Sequence, residues 1–394
     1  MRIDSDPLDA DMSITSESQR IEIVARVFGD TATSYKLFWF RGILECLKAD
    51  WGETDHAATW IVPAAKILRE MIVAAWAPAC LFRLSFGQRD QLGIVCRRMA
   101  AELPLPLNAS ADAVRAAAIP EAFVRFHLYR LLEFVPALFQ APWFARELRP
   151  YKGGRERAKH ARRLAIEHTN AGSPPPYILS GLNADTVVTF NRDWIVFLRR
   201  NLGVLEGFLD HHLATYLQAR NPHSPGVVRK LRMPIRRDMR AATTFWRTAV
   251  QRSRTNGRLP FQDIYSQTPI NLPFALDHFL PWTFVAHDQL WNLLPVTPQT
   301  NSQKGDTLPH HRYVKAAAEL HWSVLKLMSD HPKLLLDYEV CFQATIADLL
   351  ALGKSTFAER YVAHLKPLAL VAETQGFEAG WEFRPPTAPG HASA

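Results

Sequence analysis

Long apolar runs, paired cysteines and glycine-rich loops are scarce in this sequence of 394 residues. No uncharged apolar stretch approaches the ~18–20 residues that a membrane span requires, and the longest, residues 71–82, is too short. The four cysteines, Cys46, Cys80, Cys96 and Cys341, lie far apart and form no Cys-x-x-Cys pair. No structural zinc is therefore expected, and the thiols read as free cysteines in a reducing compartment. The absence of a glycine-rich phosphate loop and of an internal repeat excludes P-loop and solenoid classes. The opening, MRIDSDPLDADMS, is acidic and polar, unlike a secretory signal. A cytoplasmic protein without membrane contact is the expectation.

What the chain has is a substantial supply of core residues, 48% apolar and 11% aromatic. That composition fits two or three folded domains. The pattern is helical over much of the length. Helices are predicted at 35–51, 58–77, 88–103, 111–118 and 120–138, with Pro-containing breaks between them. Tyr35, Phe38, Trp39, Ile43 and Leu47 recur at helical spacing and read as core. A basic helix over 151–169, a short strand at 186–190 and a long helix at 192–220 capped by Asn191 follow. His211 and His212 have no second ligand four residues on, so they read as ordinary helix histidines. A helix at 241–254 leads through an Asn256-Gly257 turn to an expected antiparallel strand pair at 261–265 and 274–279. Helices at 313–328, 334–352 and 356–372 complete the chain.

The net charge of +8 is unevenly spread. Residues 151–260 hold 20 Lys/Arg against 7 Asp/Glu, while the rest holds 26 against 31. One cluster is Lys152, Arg155, Arg157, Lys159, Arg162 and Arg163; the other is Arg229, Lys230, Arg232, Arg236, Arg237 and Arg240. Arg247, Arg252, Arg254 and Arg258 continue from it. Such a stripe can neutralise phosphates and release counterions, although most charge runs are solvated helix faces.

The densest chemistry lies at 276–309, LDHFLPWTFVAHDQLWNLLPVTPQTNSQKGDTLP. Asp277 and His278 close an apolar run, Asp288 precedes Asn292 by four residues, and Asn301 leads into Lys304, Gly305 and Asp306. Neighbours on a strand, Asp277 and His278 point to opposite sides of the backbone. Thr297-Pro298 reads as the cap and first position of a helix of about two turns carrying Asn301 and Lys304, closed by Gly305.

This segment resembles the HNH endonuclease family, in the branch whose last metal-site residue is Asn. Asp277-His278-Phe279-Leu280-Pro281 stands where that family has a DHIIP-like signature. Asp288 and Asn292 match its D-x-x-x-N loop, and Asn301 to Asp306 its N-x-x-K-x-D helix end. The same order is similar to the HNH domain of the RNA-guided CRISPR nucleases. The resemblance implies a ββα-metal finger in which His278 is the general base. Asp277 and Asn301 offer hard oxygen ligands suited to Mg²⁺ or Mn²⁺. Asn292 resembles the loop Asn that ties the crossover to the strand. Lys304 is open between a phosphate or product contact and a solvated helix-end lysine. Where some relatives carry an acidic residue two before the Asp-His pair, this chain has Ala275.

The expectation is a mainly α protein, with helical N- and C-terminal regions around an embedded ββα-metal nuclease fold. Its parts are tails at 1–18 and 385–394, a helical region at 19–150, a basic, mostly helical region at 151–255, the finger at 256–311 and a helical region at 312–384. The expected function is metal-dependent cleavage of DNA, with a role in defence against foreign DNA suggested by analogy and with homodimer or protein partners left open. Catalysis falls to His278, Asn292 and Lys304, metal binding to Asp277 and Asn301. Nucleic-acid binding falls to Arg229, Lys230, Arg232, Arg236, Arg237, Arg240, Arg252 and Arg254. A non-catalytic nucleic-acid-binding scaffold and an RNA-cleaving toxin are the alternatives.

Overall fold

The computed structural model describes residues 16–29, 31, 33–118, 120–233, 237–255 and 261–385. The expected 256–257 turn, Arg236 and Arg258 lie outside the described residues. The protein is mainly helical. It divides into two compact units, one running to Asn221 with Lys230–Met233 added, the other holding Pro222–Arg229 and the described residues beyond Met233. No helix among the described residues is long and apolar enough to cross a membrane.

The first unit packs helices around one small sheet. Local caps start its helices: the Ser16 hydroxyl and Gln19 side chain form a capping box on Glu17–Phe28, and Asp90 accepts from the Leu92 amide at 3.0 Å ahead of Gln91–Glu102. Strands β1 (Thr59–Pro63), β2 (Tyr177–Ser180) and β3 (Val187–Asn191) form an antiparallel sheet with β3 in the centre. Trp60 faces Phe190 and Val62 faces Val188, so the inward positions of both strands are buried. The helices Tyr35–Ala49 and Ala64–Trp76 cross at Gly42, where an added Cβ would lie 2.6 Å from the Ile67 carbonyl oxygen.

Three expectations are corrected here. The helix predicted from 58 begins only at Ala64, because Thr59, Trp60, Ile61 and Val62 are drawn into the sheet by β3. The helix predicted over 192–220 breaks at Asn201 into Arg192–Arg200 and Leu202–Arg220. The one predicted over 120–138 falls into three short pieces, interrupted at His127, whose φ is +55°.

The second unit is built on β4 (Ala275–His278) and β5 (Leu293–Val296), an antiparallel pair in which Asp277 faces Leu294 and His278 faces Leu293. Strand β5 is buried along its whole length, as its unbroken Leu-Leu-Pro-Val run requires. The helix Pro298–Lys304 follows at once. Thr297 caps it by accepting the Thr300 amide at 3.2 Å, Pro298 occupies the first position, and Gly305 ends it at φ +53°. Helices Arg240–Thr255, Arg312–Leu327 and Gly353–Thr374 close the core with Trp246, Val324 and Tyr361.

The strand expected at 261–265 does not form; it contributes a single bridge from Gln262 to Pro269. The buried Asp263 carboxylate accepts the amides of Tyr265 and Ser266, at 2.9 and 3.3 Å, and folds the chain into a turn instead. A short acidic side chain competing for nearby amides in this way defeats a strand ladder. The strand pair therefore uses 293–296 in its place.

Candidate active site on the strand pair

Tyr265, delivered by the Asp263 turn, reaches across to β4. Its hydroxyl donates to Asp277 Oδ2 at 2.8 Å, and burial holds its pKa far above the ordinary value, so it remains a donor. The other carboxylate oxygen, Oδ1, accepts Lys304 Nζ at 3.0 Å. The same ammonium donates to the His278 carbonyl at 2.7 Å. Asp277 and Lys304 are 3% and 1% exposed, so this ion pair is dry on both sides. Lys304 thus turns inward rather than into solvent.

His278 leaves the strand on the other side. Its Nε2 lies 2.9 Å from Asp288 Oδ1. Burial lowers the His278 pKa; the Asp288 bond opposes that shift and the Arg237 charge adds to it. The imidazole is therefore neutral at physiological pH. Burial opposes the Asp288 charge, but His278 and Arg237 outweigh it and hold its pKa below the ordinary value. With Nε2–H directed at this carboxylate, the network assigns the lone pair to Nδ1.

Arg237 completes the cluster. It donates to Asp288 Oδ1 at 2.8 Å, approaches His278 Nε2 at 3.4 Å and lies 4.7 Å from the Trp282 ring centre. It also lines a groove with Arg240, Thr243, Thr244 and Arg247. An adjoining hollow shares Arg237 and Thr243 and runs to Phe274, just before β4, and Leu276 within it.

Asn292 is fully buried and ties the loop together. Its Oδ1 accepts the Leu280 amide at 2.8 Å and its Nδ2 donates to the Leu280 carbonyl at 2.9 Å. Its own carbonyl accepts the Phe279 amide at 2.9 Å. These three bonds fix the backbone just beyond His278. Asn301 is half-buried on the Pro298–Lys304 helix, three residues from Lys304 and so on the same helix face.

The other basic residues are divided between the two units. Lys230 is buried in the first unit, which lowers its pKa to about 7, and cannot be a surface phosphate contact. Arg232 pairs with Asp210 at 2.6 Å in that unit, whereas Arg229 is exposed in the second. Arg240 is exposed beside Asp238. Arg252 is bound to Asp330 at 2.6 Å and the Leu327 carbonyl at 3.2 Å, and Arg254 to the Ile270 carbonyl at 2.6 Å. These last two tie the Arg240–Thr255 helix to its own unit. Residues 151–221 of the basic run also belong to the first unit.

Tyr265, and the pairing of Asp288 with His278 and Arg237, were not foreseen. Asp288 carried a signal, its fixed spacing before Asn292; Tyr265 carried none.

A divalent ion here requires hard oxygen donors, and Asp277 and Asn301 are of that kind. The deeply buried Asp277 carboxylate already has one cation within reach, Lys304 Nζ at 3.0 Å. Among the described residues no cluster of three or more His, Cys, Asp or Glu able to hold a metal occurs. Any ion site therefore depends on an amide oxygen, water or phosphate beside Asp277.

No curated protein and no solved structure matches the chain. A family model described as HNH endonuclease matches residues 263–310, from the carboxylate that shapes the Tyr265 turn to just beyond the helix bearing Lys304. Residues 263–310 of this chain are thus similar to an HNH endonuclease domain.

Proposed function

We propose that the chain is an endonuclease that hydrolyses phosphodiester bonds in DNA, with β4, β5 and the Pro298–Lys304 helix acting as a ββα-metal finger. The observation that carries this reading is the buried His278, anchored through Nε2 to Asp288 at 2.9 Å beside the groove lined by Arg237, Arg240 and Arg247. His278 Nδ1 takes a proton from water as its oxygen attacks phosphorus, and the 3′ oxygen leaves. Asp288 holds the imidazole in the tautomer that frees Nδ1 and stabilises the imidazolium once formed. Asn292 keeps the β4 end rigid, so the base does not drift from the attacking water. Arg237 offers a guanidinium to a phosphoryl oxygen next to the base. A bound Mg²⁺ or Mn²⁺, with Asp277 and Asn301 as its protein ligands, supplies neutralisation of the phosphoryl and leaving-group charge.

One observation favours a second reading, a non-catalytic DNA-binding scaffold: Asp277 is already neutralised by Lys304. Incubation of the full chain with supercoiled plasmid and Mg²⁺ or Mn²⁺ separates the two. Nicked circles that accumulate with time support the nuclease. DNA retained in a shift assay but never cut, under either ion, supports the scaffold. Parallel incubation with single-stranded DNA and RNA reads the substrate class, and cutting of RNA alone contradicts the DNA assignment.

A further inference from the structure

Both oxygens of the Asp277 carboxylate are occupied by donors from the chain itself. Oδ2 accepts the Tyr265 hydroxyl at 2.8 Å, and Oδ1 accepts the Lys304 ammonium at 3.0 Å. A divalent ion arriving at Asp277 must therefore share the carboxylate with an ammonium or take its place. Sharing is unfavourable, because charges of like sign a few ångströms apart repel strongly where water is excluded. Displacement is feasible. Lys304 is the last residue of a seven-residue helix, its stem has four rotatable bonds, and Gly305 follows in a backbone conformation that suits glycine.

We propose that Lys304 is a built-in competitor of the divalent ion, filling the cation place at Asp277 until an ion displaces it. The inference rests on the reading of Asp277 as a metal ligand and adds a condition to it. The free protein then holds its ion weakly, because each binding event must first break the Lys304–Asp277 and Lys304–His278 carbonyl bonds. The competitor also keeps the resting site folded, since an unpaired buried carboxylate is strongly destabilising. The site is thus self-neutralised without ion, and Lys304 is a positioning residue that acts through Asp277.

The test measures Mn²⁺ binding to the full chain, without DNA, by the loss of the free-ion electron paramagnetic resonance signal. Wild type, Lys304→Met, Asp277→Asn and the Asp277→Asn/Lys304→Met double variant are compared. Lys304→Met should bind Mn²⁺ at least tenfold more tightly than wild type, and the double variant, which removes both charges, should lose that site. Thermal unfolding gives a second readout: Mn²⁺ should raise the midpoint of Lys304→Met far more than that of wild type. Should Lys304→Met fail to fold without ion, Lys304→Gln, which retains a donor and no charge, is measured in its place with the same expectation. Equal Mn²⁺ affinity in wild type and the neutral variant, with binding lost in Asp277→Asn, overturns the competition and leaves the metal site standing. Binding that no Asp277 substitution affects overturns the metal-ligand reading and the competition with it.

Discussion

Replacing Asn292 with alanine tests how the candidate base is held. The side chain is fully buried and satisfies both backbone groups of Leu280, the amide at 2.8 Å and the carbonyl at 2.9 Å. Leu280 is itself fully buried, so no water replaces the lost partners. Leaving a buried polar group unsatisfied costs about 1–3 kcal/mol, and two such groups bring the expected loss to roughly 2–6 kcal/mol. With a urea dependence of about 2 kcal/mol per molar, even the low end moves the midpoint by about 1 M. Because the chain has two units, the unfolding of the second should be followed separately, for example by pulse proteolysis at sites after residue 240. Asn292→Asp keeps an acceptor for the Leu280 amide but sets a charge against its carbonyl, and should be at least as damaging. A midpoint shift below about 0.3 M for Asn292→Ala would refute the reasoning, since a tie of this geometry cannot be that weak.

Two further outcomes follow from side chains around the same core. His321 is fully buried against Trp246 and Tyr338, and burial lowers its pKa to about 3. The folded value lies below the unfolded 6.5, so the unfolded chain takes up the proton first. The stability contributed is complete above pH 6.5 and is lost as pH falls towards 3, at about 1.4 kcal/mol per unit. Urea midpoints at pH 7, 6 and 5 should fall more steeply for wild type than for His321→Gln; parallel slopes contradict this. In the groove, Arg247→Ala should weaken DNA binding and flatten its salt dependence by about 0.9 for each phosphate left without its arginine. Arg252→Ala should leave that salt slope unchanged, because Arg252 is committed to Asp330. An equal effect in both variants would place the nucleic acid elsewhere.

Several features of the site were legible because local chemistry dictates them. The Thr297 cap, Pro298 at the first helical position and Gly305 at the end mark the helix from its sequence alone. Asp277 and His278 stand on a strand, as their apolar flank suggested. The pairing partner was not legible. Strand β5 is buried on both faces and contains Pro295, so it lacks the alternation that marks a strand. The Asp263 turn mimics a strand in its apolar neighbours while its carboxylate consumes the amides a ladder needs. Lys304 misled for a related reason: a lysine at a helix end is ordinarily solvated, and only the tertiary position of Asp277 draws it inward. Composition located positive charge along the chain but not on its surface, so it grouped the exposed Arg240 with the buried Lys230.

Nicking of supercoiled plasmid by His278→Ala tests the proposed chemistry most directly, read beside the thermal midpoint and DNA affinity of the same preparation. A base held as His278 is here predicts a fall of roughly 10²–10⁴-fold in cleavage rate with DNA binding retained. Cleavage by His278→Ala at the wild-type rate would contradict it.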